Sequence, residues 1–172
     1  AFVRLNGRPV GFVANQTRHL AGMLDVKACE KASHFIALCD AFGLPLVMLI
    51  DLPGFAIGSE AEKSGLGRRS GRLFFEMGQA TVPRVSIVLR KGYGGGYYAM
   101  GGGRSYDNNA SLAWPSAEIC AMSVEGSVDV AYRKDYEAAE DPAARRQEII
   151  DIFKSQLGAL RAAEAFGIDE VI

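Results

Sequence analysis

The feature that most constrains the fold is an unbroken apolar run of strand length at residues 46–50, which follows a helical pattern and precedes a sharp turn. The helical pattern begins at Val26, its apolar residues recur at steps of three and four, and Gly43 stands where a helix C-cap would. Residues 84–89 repeat the strand pattern. Apolar strands that alternate with helices are typical of parallel sheets covered on both faces. The sequence therefore predicts an α/β fold.

Weaker patterns complete the predicted order of elements. Asn6-Gly7, between two apolar segments, predicts a two-strand hairpin because both residues readily adopt the positive φ angles of its turn. Residues 58–70 lack apolar periodicity and are expected to form a surface loop, followed by a short helix that Pro83 ends. Ser116 is expected to cap a helix over residues 117–122, and Asp141-Pro142 to begin the last long helix.

Size and charge exclude several classes of protein. The chain has 172 residues, of which 49% are hydrophobic, so it can bury one substantial core and is expected to form a single domain over residues 1–172. Its 19 Lys and Arg residues nearly balance its 20 Asp and Glu residues, which disfavours nucleic acids and anionic membranes as partners. The apolar runs are too short to span a bilayer and no basic-then-apolar leader opens the sequence, so no membrane association is expected.

The cysteines and the missing motifs narrow the chemistry further. Cys29, Cys39 and Cys120 are odd in number and lack the C-x-x-C spacing of zinc or redox sites, so we expect no resident metal and a cytoplasmic location. The sequence lacks the G-x-S-x-G, H-E-x-x-H and P-loop motifs of common hydrolases, zinc proteases and nucleotide hydrolases. Neither His19 nor His34 lies in a catalytic motif.

A glycine-rich run at residues 92–98, directly after the second strand pattern, is the first candidate site. Three consecutive glycines leave backbone amides uncovered, and two such N–H groups could hold an oxygen that gains negative charge during a reaction. The dipole of a following helix would reinforce them. The run is equally compatible with a tight strand-to-helix turn that needs glycine only for close packing.

Two other functions are compatible with the same run. Residues 94–99 fit the G-x-G-x-x-A form of the dinucleotide-binding fingerprint, with Glu118 about 20 residues further on. In dinucleotide-binding folds the acidic residue ends the next strand, whereas Glu118 is expected inside a helix, which argues against this alternative. A non-catalytic assembly module is the third alternative, and amides occluded by the rest of the domain would favour it.

The turn after the first apolar strand is a second candidate site. The sequence Asp-Leu-Pro-Gly-Phe at residues 51–55 turns sharply at Pro53 and Gly54 and could present Phe55 to a cleft. An aromatic residue that seals the core is an equally good interpretation of Phe55. Asp51 is expected to make a turn hydrogen bond rather than to act as a base.

Four motifs occur in order: Gly-Phe-Val-Ala-Asn-Gln at residues 11–16, Asp-Leu-Pro-Gly-Phe at 51–55, Arg-Lys-Gly-Tyr-Gly-Gly-Gly-Tyr at 90–97 and Ala-Trp-Pro-Ser-Ala-Glu at 113–118. Together they resemble the carboxyltransferase (beta) subunit of biotin-dependent acyl-CoA carboxylases. The similarity is to the C-terminal half of subunits of the propionyl-CoA carboxylase beta and methylmalonyl-CoA decarboxylase alpha types. It runs from about Gly7 to Ile172.

The resemblance implies a crotonase-like (ClpP/crotonase) fold, which is a spiral of strand-turn-helix units. The implied reaction is carboxyl transfer between carboxybiotin and an acyl-CoA of the acetyl or propionyl type. In the family, the amides of the residues that match Gly95 and Gly96 stabilise the oxyanion of the biotin ureido group. Biotin can also take the α proton of the acyl thioester, which fits the lack of a catalytic histidine.

The resemblance further implies that Pro53, Gly54, Phe55, Tyr93 and Tyr98 line the cofactor pocket. Tyr98 matches a position that the family associates with acyl-chain choice, and members that use propionyl-CoA commonly have an aspartate there.

The implied partners are a biotin carboxyl carrier or biotin carboxylase subunit, the acyl-CoA substrate, and further copies of the chain in a homo-oligomer. Family members build each active site across a dimer interface between this half and a preceding half that binds the acyl-CoA. That preceding half is absent from the sequence, so we expect the chain alone to be inactive.

Overall fold

The computed structural model describes residues 1–104, 106–165 and 167–172. The chain alternates between strands and helices along most of its length. The strands are β1 (Phe2–Leu5), β2 (Arg8–Ala14), β3 (Leu46–Leu52), β4 (Arg84–Tyr93), β5 (Ala110–Ala113), β6 (Glu118–Cys120) and β7 (Glu170–Val171). The helices are α1 (Val26–Ala41), α2 (Ser59–Lys63), α3 (Leu66–Gln79), α4 (Gly94–Ala99), α5 (Val124–Ala131), α6 (Arg133–Glu137), α7 (Pro142–Gln156) and α8 (Ala159–Glu164).

All these strands belong to one sheet with the order β1-β2-β3-β4-β5-β7, to which β6 is added beside β4. The β1–β2 hairpin is antiparallel and turns at Asn6-Gly7, as predicted, and the remaining pairings are parallel. The long strand β4 has two successive neighbours on one side. Residues 85–88 pair with β5 and residues 91–93 pair with β6. The predicted α/β class is confirmed.

The main core lies where α1 and α3 pack together with β3 and β4. Helix α1 begins at the predicted place, where the Asp25 side chain accepts a hydrogen bond from the Ala28 amide. Strand β3 was predicted to be covered on both faces, but alternate residues are buried and only half-buried. Its fully buried side chains are Leu46, Met48, Ile50 and Leu52. The sheet is thus sealed on one face and only partly covered on the other at β3.

A second, smaller core joins α5 and α7 near the C-terminal end of the chain. It consists of Val124, Val128, Ile149 and Ile150, with partly buried aromatic residues around them. Helix α7 starts at Pro142 with Asp141 as its N-cap, which confirms the predicted start of the last long helix. These helices form a unit beside the main core.

Two predictions about secondary structure are wrong. Residues 58–70 are not a loop, because α2 and the first part of α3 occupy them. The buried residues of α3 are Leu66, Leu73 and Met77, and the polar residues and glycines between the first two obscure the helical period in the sequence. Residues 117–122 do not form a helix either. Glu118 begins β6, and this short strand depends on its pairing with β4 rather than on a local pattern.

Across the described ranges, none of the helices combines the length and the apolar character that crossing a membrane requires.

Candidate functional site

The glycine run lies at the junction of the central strand and a short helix. Strand β4 continues to Tyr93, and α4 begins immediately at Gly94, so the run is a tight strand-to-helix turn. Gly94 has φ +58, and a Cβ at this position would lie 2.9 Å from the Ala121 carbonyl oxygen. Because only glycine combines a left-handed conformation with so close a neighbour, the chain can turn from strand to helix here without a connecting loop.

The backbone amides of Gly95 and Gly96 lie in the first turn of α4. In the described part of the chain, neither N–H group donates a hydrogen bond, and the Tyr93 side chain does not cap the helix. Amides in the first turn of a helix have no acceptor within the helix, so they remain available to a ligand. Helix α4 has only six residues, so its dipole would contribute little to binding an anion. The main contribution would come from the two N–H groups themselves. Gly95 is exposed, whereas Gly96 is buried against Leu52 and Gly54. Occlusion of both amides, which would have favoured an assembly module, is therefore not observed in the described residues.

The turn after β3 packs directly against these glycines. A Cβ on Gly96 would lie 2.7 Å from Cδ1 of Leu52 and 2.9 Å from Cα of Gly54, and a Cβ on Gly95 would lie 3.4 Å from the Phe55 ring. The structure thus brings Gly54 and Phe55 together with Gly95 and Gly96, although 40 or so residues separate them in sequence. The two candidate sites of the sequence are one site.

The position of the Phe55 turn is fixed from both sides. The Leu24 amide donates to the Gly54 carbonyl at 3.1 Å, and the Ala56 amide donates to the Leu24 carbonyl at 3.0 Å. The Phe55 ring is half-buried, with its centroid 6.0 Å from that of Phe74. Phe55 therefore forms part of an apolar wall beside the glycines, and the adjacent Pro53 is also half-buried.

The two tyrosines that were proposed for the pocket have different environments. Tyr98 is 46% exposed, with its ring centroid 5.2 Å from that of the buried Tyr97. Tyr93 is only 3% exposed, and its hydroxyl donates a hydrogen bond to the Glu118 carboxylate. Burial, together with this bond, raises the pKa of the Tyr93 phenol. Tyr98 can meet a ligand at the surface, whereas the Tyr93 hydroxyl is occupied inside the domain.

The position of Glu118 also bears on the dinucleotide alternative. The argument that Glu118 lies in a helix is wrong, since it lies in β6 beside β4. Its carboxylate nevertheless accepts the Tyr93 hydroxyl hydrogen bond, so the group that would bind a ribose is already engaged.

Asp51 makes structural hydrogen bonds, but they join β3 to β4 instead of closing the turn that was expected. Its carboxylate accepts hydrogen bonds from the Lys91 amide at 3.2 Å and from Arg90 Nε at 3.3 Å. No sequence pattern indicated the matching role of Asn15, whose side-chain oxygen accepts from the Asp51 amide while its nitrogen donates to the Gly22 carbonyl. These bonds tie the ends of β2, β3 and β4 together behind the glycine turn.

A cavity of about 510 Å³ lies elsewhere, between the β2 strand and α1. Phe12, Asn15, Lys31 and His34 are among its lining residues, and Gly95 and Gly96 are not. The glycine turn is not part of this cavity, and of its two candidate residues Gly95 is exposed and Gly96 is buried.

A mostly parallel sheet whose central strand runs directly into a helix at a glycine turn is compatible with the crotonase-like fold that the resemblance implied. The Carboxyl transferase domain model matches residues 1–172. The chain therefore belongs to the carboxyl transferase family. This confirms the resemblance noted in the sequence, and family membership does not favour the dinucleotide or assembly alternatives.

Individual relatives agree with this assignment. The chain is 44% identical to the methylmalonyl-CoA carboxyltransferase 12S subunit of Propionibacterium freudenreichii subsp. shermanii, with 100% of the chain and 33% of the relative aligned. It is 41% identical to the carboxyltransferase subunit of propionyl-CoA carboxylase of Haloferax mediterranei, with 99% and 33% aligned.

Solved structures show the same fold. The crystal structure of transcarboxylase 12S with methylmalonyl-coenzyme A and methylmalonic acid bound superimposes with a TM-score of 0.94 at 44% identity, over 99% of the chain and 33% of that structure. The beta subunit of Pseudomonas aeruginosa geranyl-CoA carboxylase gives 0.86 at 26% identity, over 99% and 32%. The crotonase-like fold is thus confirmed, and the chain spans about a third of the length of these relatives.

Proposed function

We propose that this chain forms the biotin-facing part of a carboxyltransferase that moves a carboxyl group between carboxybiotin and an acyl-CoA. The observation that carries the proposal is the pair of free amides at Gly95 and Gly96, flanked by Gly54 and Phe55. Family membership over the whole chain supports the reaction class.

The residues present suit the ureido head of biotin. The two adjacent N–H donors belong to Gly95 and Gly96, which have no side chains that could cover them. The half-buried rings of Phe55 and Phe74 lie beside them. When bound, the cofactor supplies the carboxyl group and a base for the α proton of the acyl thioester. The Gly95 and Gly96 amides would donate to an oxygen that becomes negatively charged, and preorganised donors of this kind stabilise that charge without rearranging. Pro53 and Phe55 would limit the access of water to it.

The substrate and the partners follow from the relatives. Their names include methylmalonyl-CoA carboxyltransferase, propionyl-CoA carboxylase and biotin-dependent acetyl-/propionyl-CoA carboxylase, so we propose an acetyl- or propionyl-type acyl-CoA. The exposed Tyr98 would contribute to acyl-chain choice. We propose a biotin carboxyl carrier or biotin carboxylase subunit as the partner, and a homo-oligomer, since a structural relative forms a hexamer.

An acyl-CoA-binding half would complete the site, and the chain spans only 33% of the methylmalonyl-CoA carboxyltransferase 12S subunit that it matches. A cytoplasmic location also belongs to the proposal, and the free thiols of Cys29, Cys39 and Cys120 are compatible with it.

The proposal is tested by removing one amide. Proline is tolerated in the first turn of a helix and has no N–H group, so Gly95→Pro deletes one donor with little disturbance of α4. In a complete carboxyltransferase with an acyl-CoA-binding half and a biotinylated carrier, we expect carboxylated acyl-CoA to form about 10² to 10³ times more slowly.

Gly95→Ala is the matched variant, because it keeps the N–H and places a methyl group at 3.4 Å from the Phe55 ring. It should lose much less activity than Gly95→Pro. A folded, assembled Gly95→Pro enzyme with the activity of Gly95→Ala would contradict the proposal.

A further inference from the structure

We infer that Tyr93 and Glu118 are a positioning pair that fixes the direction of the Gly95 and Gly96 amides, an inference that rests on the function proposed above. Neither side chain is assigned a contact with substrate. Their hydrogen bond joins the end of the central strand to β6, next to the point where α4 begins.

The glycine turn requires support from its surroundings. Glycine has more backbone freedom than any other residue, so three in succession do not by themselves hold two N–H groups in one direction. The C-terminal side of the run is supported by the turn after β3, because Gly96 packs on Leu52 and Gly54. The N-terminal side has a different neighbour, namely β6 and the residue that follows it.

Strand β6 contacts the start of the run directly. Its residues pair with residues 91–93 of β4, and Cys120 is opposite Tyr93. The next carbonyl along the chain, that of Ala121, lies 2.9 Å from the position of a Cβ on Gly94. A shift of β6 would therefore move the Ala121 carbonyl, which lies against Gly94. The peptide planes of Gly95 and Gly96 would move with it.

The backbone pairing of β6 is a weak anchor. The strand has only three residues, all half-buried, and it is shorter than most strands in globular proteins. The Tyr93 hydroxyl adds a hydrogen bond to a carboxylate across this pairing, and bonds to charged groups are stronger than those between neutral groups. This side-chain bond is therefore well placed to hold β6 in register beside the turn.

The surroundings of Tyr93 favour a fixed donor over a proton-transfer group. The ring is 3% exposed, and Lys91 Nζ lies 5.9 Å from its centroid. Burial first, and then the bond to Glu118, raises the pKa of the phenol, which keeps the hydroxyl protonated and donating near neutral pH. Glu118 and the more distant Glu125 supply the negative charge on this side of the ring.

The test uses Tyr93→Phe, which removes the donor, and Glu118→Met, which removes the acceptor but keeps the length of the side chain. In the complete carboxyltransferase we expect either change to lower kcat by about 10- to 100-fold, the scale of loss that follows from a misplaced catalytic group. The KM for acyl-CoA should stay unchanged, because the other half of the enzyme binds that substrate. The double variant should lose no more than one single variant, because both changes break one bond.

Two further variants separate positioning from general stability. Glu118→Gln retains an oxygen that can accept from the Tyr93 hydroxyl, so it should recover most of the kcat that Glu118→Met loses. Tyr136→Phe removes a bond of the same kind, from Tyr136 to Asp129 at 3.2 Å in the α5–α7 unit, and should leave kcat at the wild-type value. If Tyr93→Phe fails to fold, the comparison of Glu118→Gln with Glu118→Met decides the question.

Three results would overturn the inference: wild-type kcat in a folded Tyr93→Phe enzyme, equal kcat in Glu118→Gln and Glu118→Met, or the loss of one limb of the pH–rate profile in Tyr93→Phe. The last result would mean that Tyr93 transfers a proton itself. The outcome is independent of the Gly95→Pro test. If Gly95→Pro slows transfer as expected and Tyr93→Phe does not change it, only the positioning role fails, whereas a Gly95→Pro enzyme as active as Gly95→Ala refutes the proposed function.

Discussion

Gly96 lies so close to Gly54 that a Cβ on Gly96 would stand 2.9 Å from the Gly54 Cα. The atom that it would meet belongs to the main chain, so it cannot swing away as the end of a flexible side chain can. Any residue larger than glycine at position 96 must therefore displace the turn at residues 53–55 or the first turn of α4.

We accordingly predict that Gly96→Ala destabilises the domain by about 1–3 kcal/mol, the usual cost of forcing extra volume into a packed interior. Urea unfolding followed by circular dichroism measures the change. Gly95→Ala provides the comparison, because its added methyl group makes an ordinary contact at 3.4 Å. Equal unfolding midpoints for the two variants would show that the turn yields easily.

The left-handed turn at Gly94 predicts a second difference in stability. Alanine in this conformation costs about 1–2 kcal/mol wherever it occurs. Gly43, which ends α1 with φ +65 and has no atom within 4 Å of an added Cβ, should show that cost alone. Gly94→Ala should cost more than Gly43→Ala, because the Ala121 carbonyl oxygen stands 2.9 Å from the added Cβ. Chemical denaturation of both variants measures the difference, and equal losses would contradict this prediction.

Asp40 predicts a pH dependence of stability. Burial disfavours the charged carboxylate, but hydrogen bonds from the Thr81 amide and hydroxyl and the Val82 amide outweigh it and lower the pKa of Asp40 below its ordinary value of 3.8. Because the pKa of Asp40 is lower in the folded state than in the unfolded state, its charged carboxylate stabilises the folded protein at pH values above the unfolded-state pKa. This stabilisation is lost as the pH falls through the folded-state pKa.

The stability difference between wild type and Asp40→Asn should therefore be complete at pH 7 and shrink below about pH 4. Thermal unfolding at a series of pH values tests this. Glu137→Gln, at an exposed position of α6, is the control. A difference that stays constant down to pH 3 would show that the bonds do not depend on the charge.

The thiol of Cys29 should resist alkylation in the folded protein. Burial, followed by the charges of Asp25 and Glu30, raises its pKa to about 11, and the side chain is fully buried. Burial also raises the pKa of the Cys120 thiol to about 11, so the two thiols differ in exposure and not in pKa. At pH 8 we expect iodoacetamide to modify half-buried Cys120 before Cys29, and to modify both once urea unfolds the chain. Mass spectrometry of peptides measures the two rates, and faster modification of Cys29 than of Cys120 would count against this packing.

Elements with a strong local period could be predicted from the sequence. Helix α1 has its apolar residues at steps of three and four, and β3 is one continuous apolar run, so each element carries its own signal. Helix α3 buries only three of its fourteen residues, and β6 is a strand because it pairs with the end of β4. Such elements depend on tertiary partners, which no local pattern reveals.

The same distinction applies to the candidate site. The glycines at positions 94–96 could be recognised because missing side chains are visible in a sequence. Their contact with Gly54 and Phe55, and the bond from Tyr93 to Glu118, join segments that are 25 or more residues apart and depend on the order of strands in the sheet. The motifs of the family led to the proposed function, and the strand order explains why two of those motifs, at residues 51–55 and 90–97, lie together.

The change of neighbour halfway along β4 has an evolutionary consequence. Residues 85–88 are held by β5 in the middle of the sheet, whereas residues 91–93 depend on β6 alone on that side. Substitutions and insertions in the segment that leads into β6 can therefore reshape the outer end of the strand while the inner end keeps its partner. Related proteins can therefore differ in the surface around residues 91–93 and β6 while they keep the pairing of residues 85–88 with β5.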